Sequence, residues 1–172
     1  YKITPVDYPD YISAVSGNSE LMLRTSDGNN YCGGAYINGA LKINGEEIAV
    51  SEPAGYYWID YNTENKTAKL TAITTIGVIG DATPGGWDND TDMTYNADEG
   101  CWEIKDIKLN DGNIKFRAND GWDINWGTNS ANSLFSLDMS PTSGNFNAEA
   151  GTYDIKLYAL CSGQAYAIMT KK

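Results

Sequence analysis

The chain has 172 residues, 41% of them hydrophobic, enough for a packed core in one large domain or two small ones. A net charge of −11 at pH 7 opposes nucleic acid and anionic membrane surfaces and leaves neutral ligands unaffected. Because there is no histidine, Ser-His-Asp and Cys-His catalysis and histidine-ligated zinc are all excluded. No apolar run approaches the ~20 residues of a transmembrane helix, and the residues from Tyr1 onward are polar and do not read as a signal peptide, which says little about compartment.

In chain order, a helix is suggested only at "DYISAVS", residues 10 to 16. Everything after it predicts short strands joined by tight turns, in keeping with 18 glycines and 12 tyrosines. The predicted strands are Leu21–Thr25, Leu41–Asn44, Glu47–Val50, Gly55–Tyr61, Thr67–Ile73, Ile76–Ile79, Met93–Tyr95, Trp102–Leu109, Ile114–Ala118, Tyr153–Ala159 and Ala165–Thr170. "TAKLTAI" and "YDIKLYAL" alternate with a period of two. "IDYNTENKTAKL" and "LYALCSGQAYAI" read as hairpins. The expected fold class is all-β. Cys32, Cys101 and Cys161 are odd in number and widely spaced, so they predict mostly buried free thiols rather than a zinc knuckle or a full disulfide set.

The sequence contains an internal repeat. "LMLRTSDG" (21–28) aligns with "IKFRANDG" (114–121), both ending R-x-x-D-G, and "EPAGYYWI" (52–59) aligns with "EAGTYDI" (149–155) with one gap. The offsets of 93 and 96 residues match the size of one immunoglobulin-like sandwich. The pattern predicts tandem β-sandwich modules over 1–74 and 75–172, with a junction near Thr74–Thr75. The first copy has no counterpart of "IGVIGDATPGGWDND" (76–90).

Two stretches carry side chains that a plain sandwich does not need. In "GDATPGGWD" (80–88), Thr83-Pro84-Gly85-Gly86 is a strong turn signal that delivers Trp87 onto a loop, where a rigid exposed aromatic serves as a binding anchor. In "IKFRANDGWDINWG" (114–127), alternation sends Ile114 and Phe116 to the core and Lys115 and Arg117 outward together. The loop beyond carries Asp120, Trp122 and Trp126, of which Trp126, before Gly127, is expected to be the exposed tryptophan. An indole takes the apolar face of a pyranose, while Arg, Lys, Asp and Asn meet its hydroxyls. Together these residues point to a shallow sugar site with Trp87, Lys115, Arg117, Trp126, Trp122 and Asp120 as ligand contacts.

"IGVIGDATPGGWDNDTDMTYN", "IKFRANDGWDINWG" and "GTYDIKL" resemble the C-terminal modules of SusE and SusF, surface starch-binding lipoproteins of Bacteroides glycan-utilisation systems. The resemblance covers residues 76–170; residues 1–75 share only the R-x-x-D-G and A-G-x-Y pieces. It implies immunoglobulin-like sandwiches without enzymatic activity or cofactor, binding α-glucan through Trp87, Trp126 or Trp122, Lys115 and Arg117. It also implies an outer-membrane, surface-exposed location through an N-terminal lipid outside these residues, an oligosaccharide or polysaccharide ligand, and other glycan-uptake proteins as partners. One departure is the absence of any basic residue between Trp126 and Lys156. The first copy keeps Arg24 but has Asn29, Asn30 and Tyr31 where the platforms would be, and Trp58 lies in a strand run, so a spacer or degenerate site is expected there.

Three other readings compete with sugar binding. A structural or protein-interaction sandwich would use the same tryptophans as an interface. "DNDTDMTYNADE" sets Asp88, Asp90, Asp92 and Glu99 at EF-hand spacing, but Met93 stands where the loop needs glycine and no helices flank it, so a solvated acidic turn is expected. Glycoside hydrolysis needs a carboxylate in an apolar setting that raises its pKa, and no acidic residue has one in the sequence.

Overall fold

The computed structural model describes residues 11–16, 19–25, 30–43, 46–50, 52–62, 64–128, 133–160 and 164–172. Asp27, Gly28, Asn29 and Cys161 lie outside the described residues. Those described contain seventeen strands and no helix, and the chain is all-β. The helix suggested at residues 10–16 does not form; β1 (Tyr11–Ser16) is a strand between β2 (Ser19–Thr25) and β4 (Ala40–Ile43). Tyr11, Ile12 and Val15 favour a pleated surface, and two neighbouring ladders outweigh any local helical preference.

The chain divides into two compact units, the first ending at Ala72 and the second spanning Ile73–Lys172. The first is one seven-stranded antiparallel sheet, ordered β5 (Glu46–Ala49), β4, β1, β2, β3 (Asn30–Ile37), β6 (Gly55–Asn62), β7 (Thr67–Ala72). Its core cluster is Ala35, Ile37, Tyr57, Ile59 and Tyr61, and Trp58 is buried as its strand context suggested. Cys32, on β3, is disulfide-bonded, which corrects the free-thiol expectation for that residue; Cys101 is a buried free thiol.

The second unit has a four-stranded sheet, β10 (Thr94–Asn96), β11 (Cys101–Leu109), β16 (Gly151–Tyr158), β17 (Tyr166–Lys171). Its other sheet runs β14 (Leu137–Asp138), β13 (Asn125–Thr128), β12 (Gly112–Ala118), β8 (Ile76–Gly80), β9 (Gly86–Asp92), with β15 (Phe146–Ala148) also pairing β12. Alternation on β16 buries Tyr153, Ile155 and Leu157. On β12, Ile114 and Phe116 are fully buried, and Phe116 meets Phe146 at 6.1 Å between ring centroids.

Among the described residues, part of each repeated motif recurs as structure. Arg24 pairs with Cys32 across β2 and β3, and Arg117 pairs with Asn125 across β12 and β13, the same eight-residue span. In the A-G-x-Y pieces, Tyr57 Oη donates to the Pro53 carbonyl at 2.7 Å and Tyr153 Oη donates to the Glu149 carbonyl at 2.9 Å. Each is a tyrosine corner, a phenol reaching four residues back to tie down the entry to its strand.

A further departure sets up the site. Residues 86–92 are not a loop but strand β9, joined to β8 with a register shift between Val78 and Gly80. Gly80 makes the shift possible: its φ is +145°, and an added Cβ would stand 2.0 Å from the Asn113 carbonyl oxygen. Gly80→Ala is expected to lower stability by about 2 kcal/mol or more through backbone strain and this clash. A urea midpoint unchanged from wild type would refute the requirement.

Candidate functional site

The site is built on the face of β12 opposite Phe116. Register places Lys115 beside Ile79 and Arg117 beside Gly77 on β8, while Phe116 pairs with Val78 in the core. Lys115 and Arg117 share a face, as alternation required, but they are not solvated: their exposures are 8% and 7%.

A buried guanidinium needs its donors matched. Asp90 on β9 does this with both oxygens, accepting from Arg117 Nε at 3.2 Å and from Nη2 at 3.1 Å. Gly77 makes room for the pair, since a Cβ there would lie 2.6 Å from Asp90 Oδ2. Lys115 Nζ donates to the Ser143 carbonyl at 3.1 Å.

Trp122 closes over both cations. Arg117 Cζ lies 5.0 Å and Lys115 Nζ 5.9 Å from its ring centroid, within cation–π reach. Its loop has a defined shape. Asn119 and Asp120 adopt φ of 54° and 53°, and Gly121 N–H donates to the Ala118 carbonyl, which makes a type I′ turn. Asn and Asp tolerate this left-handed geometry better than other non-glycine residues. Asn119 Oδ1 accepts from Thr74 N at 2.8 Å, and Asn125 Nδ2 donates to the Trp122 carbonyl at 2.7 Å.

Trp87 arrives from the other side. The predicted 83–86 turn is present, with Gly86 N–H donating to the Thr83 carbonyl at 3.2 Å, and Thr83 Oγ1 also holds the Gly80 carbonyl. Trp87 and Trp122 meet at 6.4 Å between centroids with their planes 39° apart. They are 39% and 49% exposed, whereas Trp126 is 0% exposed.

Trp126 is therefore a correction. It pairs directly with Phe116 across the β12–β13 hairpin. Directly opposed residues share a face of an antiparallel sheet, so a core Phe116 puts Trp126 in the core. There its Nε1 donates to the Leu160 carbonyl at 3.1 Å. The expected free, outward Lys115 and Arg117 are corrected as well: they lie beneath the platform instead of beside a ligand. Of the six residues named from sequence, the structure brings Trp87, Trp122, Lys115, Arg117 and Asp120 together and leaves Trp126 out.

Asp90, Asp92 and Asp120 each bring a carboxylate oxygen within 4.8 Å of the others, the one such trio among the described residues able to hold a metal ion. Burial alone would raise the Asp90 pKa, but hydrogen bonds from Arg117 and its charge outweigh this and hold it below the usual value. Exposed Asp120 is pushed up by its contact with Asp90. Burial lowers the Lys115 pKa, with Asp138 opposing. The EF-hand spacing does not become a loop: Asp88, Asp90 and Asp92 lie along β9, and Glu99 is bound by Lys156.

Gly77 and Asn125 were not singled out from sequence, and Asp90 and Asp92 entered only as EF-hand positions, not as partners of Arg117 or Asp120. The signal for the two aspartates was the period-two spacing in "WDNDTD", which marks a strand with one acidic face. No protein-family model matches the chain, and no curated protein matches it significantly.

Two outcomes follow for stability. Trp126→Ala is expected to cost about 3–5 kcal/mol, as for other buried aromatics, and Trp122→Ala well under half of that, measured by urea unfolding; equal losses would contradict the placement. Asp90→Asn leaves a buried guanidinium without its counter-charge and is expected to cost about 3 kcal/mol at pH 7. A depressed folded pKa gives stability that is present above the unfolded value of ~3.9 and lost as pH falls through the folded one. The gap between wild type and Asp90→Asn should therefore shrink below about pH 4, and a gap that widens there would reverse the sign of the argument.

Proposed function

We propose that the second unit is a non-catalytic carbohydrate-binding module whose ligand stacks on Trp87 and Trp122. The observation carrying this is the tryptophan pair itself: two exposed indoles, inclined by 39° and held 6.4 Å apart by built turns. Exposed aromatics on ordered supports offer flat apolar area to the C–H face of a sugar at little entropic cost. The 39° inclination suits successive rings of a curved chain, which favours an α-glucan. Asn89, Asp92, Asn119 and Asp120 are exposed around the pair and offer hydrogen-bond partners to hydroxyls.

The wider reading keeps the expected setting: an immunoglobulin-like module at the outer cell surface, lipid-anchored beyond these residues, serving glycan-uptake partners. In it the first unit is a spacer.

Shallow stacking sites give a Kd of roughly 10⁻³ to 10⁻⁵ M. Calorimetric titration with maltoheptaose and a panel of other oligosaccharides is expected to show such binding, with Trp87→Ala and Trp122→Ala each weakening it about tenfold or more, the equivalent of ~1.4 kcal/mol. Conservative Trp126→Phe is expected to leave affinity within about twofold, since that ring sits in the core. Absence of binding by every glycan at about 10 mM, ten times the weakest expected Kd, would overturn the proposal in favour of a protein interface at the same tryptophans.

A further inference from the structure

We propose that the Trp87–Trp122 surface selects against anionic glycans, and that Asp92 and Asp120 set this selectivity. The inference rests on the carbohydrate-binding reading above and goes on to the charge class of the ligand.

From sequence, Lys115 and Arg117 point outward together beside the tryptophan loop. Folding inverts this. Two Arg117 donors are engaged by Asp90, the Lys115 ammonium donates to the Ser143 carbonyl, and both cations lie under the Trp122 ring. What remains outside is negative. Asp88 and Asp92 on β9, and Asp120 and Asp123 on the Trp122 loop, are all exposed. Residues 76–92 and 112–128, which carry both tryptophans, contain no basic residue besides Lys115 and Arg117. Asp90 is neutralised by its partner, whereas Asp92 and Asp120 stand beside it with no cation of their own, their oxygens within 4.8 Å of one another and of Asp90.

A ligand on the indoles therefore meets acceptors. A hydroxyl can donate to a carboxylate, so an uncharged sugar is accommodated. A uronate or sulfate brings a like charge to a crowded acidic rim, where juxtaposed like charges work against binding. The repulsion acts through water and is screened, since the Debye length falls from ~30 Å at 0.01 M salt to ~3 Å at 1 M.

The test compares one glucan oligosaccharide that binds with its C6-oxidised, uronate-bearing counterpart of equal length and linkage. Titrations are run in EDTA, which keeps divalent cations off the carboxylates. At about 10 mM salt the oxidised form is expected to bind roughly tenfold more weakly. The gap should narrow to about twofold at 0.5 M salt, and also in the Asp92→Asn, Asp120→Asn double variant at low salt, with its fold checked by circular dichroism. Equal or tighter binding of the oxidised form overturns the selectivity. So does a gap that survives both salt and the double variant, because it would report the lost C6 hydroxyl and not charge. If neither form binds and no other glycan does, the carbohydrate reading itself falls, a result distinct from loss of selectivity.

Discussion

The Arg117–Asp90 pair is the constraint around which the second unit's exposed surface is arranged. A guanidinium cannot be left buried without acceptors, and the carboxylate that meets it comes from β9, the strand beyond β8. That one contact ties β12 to β9, presses flat against a glycine on β8, and gives Trp122 a cationic floor. Trp122 in turn shields the pair from water, which strengthens its electrostatics. The tryptophans look like decoration on a sheet, but one of them is the roof of an ion pair.

How much of this was legible in the sequence depends on which physical rule decided each residue. Period-two alternation found β7 and β16, and hairpin patterning found their partners β6 and β17. The Thr-Pro-Gly-Gly turn was equally local, since only its own dihedrals are at stake. Alternation also separated Phe116 from its neighbours Lys115 and Arg117. It could not show that a face turned away from the core is roofed by a later loop. The choice between Trp122 and Trp126 turned on hairpin register, which places Trp126 opposite Phe116, and composition around Gly127 pointed the wrong way. β9 escaped because, beyond Trp87, its side chains are all polar, which removes the hydrophobic signal while leaving the backbone free to pair. β1 shows the opposite failure, a short segment whose weak local preference was settled by strands on both sides.

The repeat carries a separate lesson about what duplication preserves. The shared pieces are a hairpin of fixed span and a tyrosine that ties back to the chain before its strand. Both are devices for setting register and strand entry, on which every later pairing depends. Sheet organisation differs between the units, with β3 bridging β2 and β6 in one, and β13 passing to β14 in the other. Local anchors have been kept while larger connections diverged.

Among the described residues β9 is also an edge strand, with β8 on one side and no partner strand on the other. An open edge carrying a tryptophan is a template for pairing with another chain, and proteins commonly block such edges with charge. Exposed Asp88 and Asp92, with a register shift at the strand's start, supply such features here. The acidic side chains thus have a colloidal role beside any recognition role. They make an exposed aromatic strand a poorer template for zipping to a second copy.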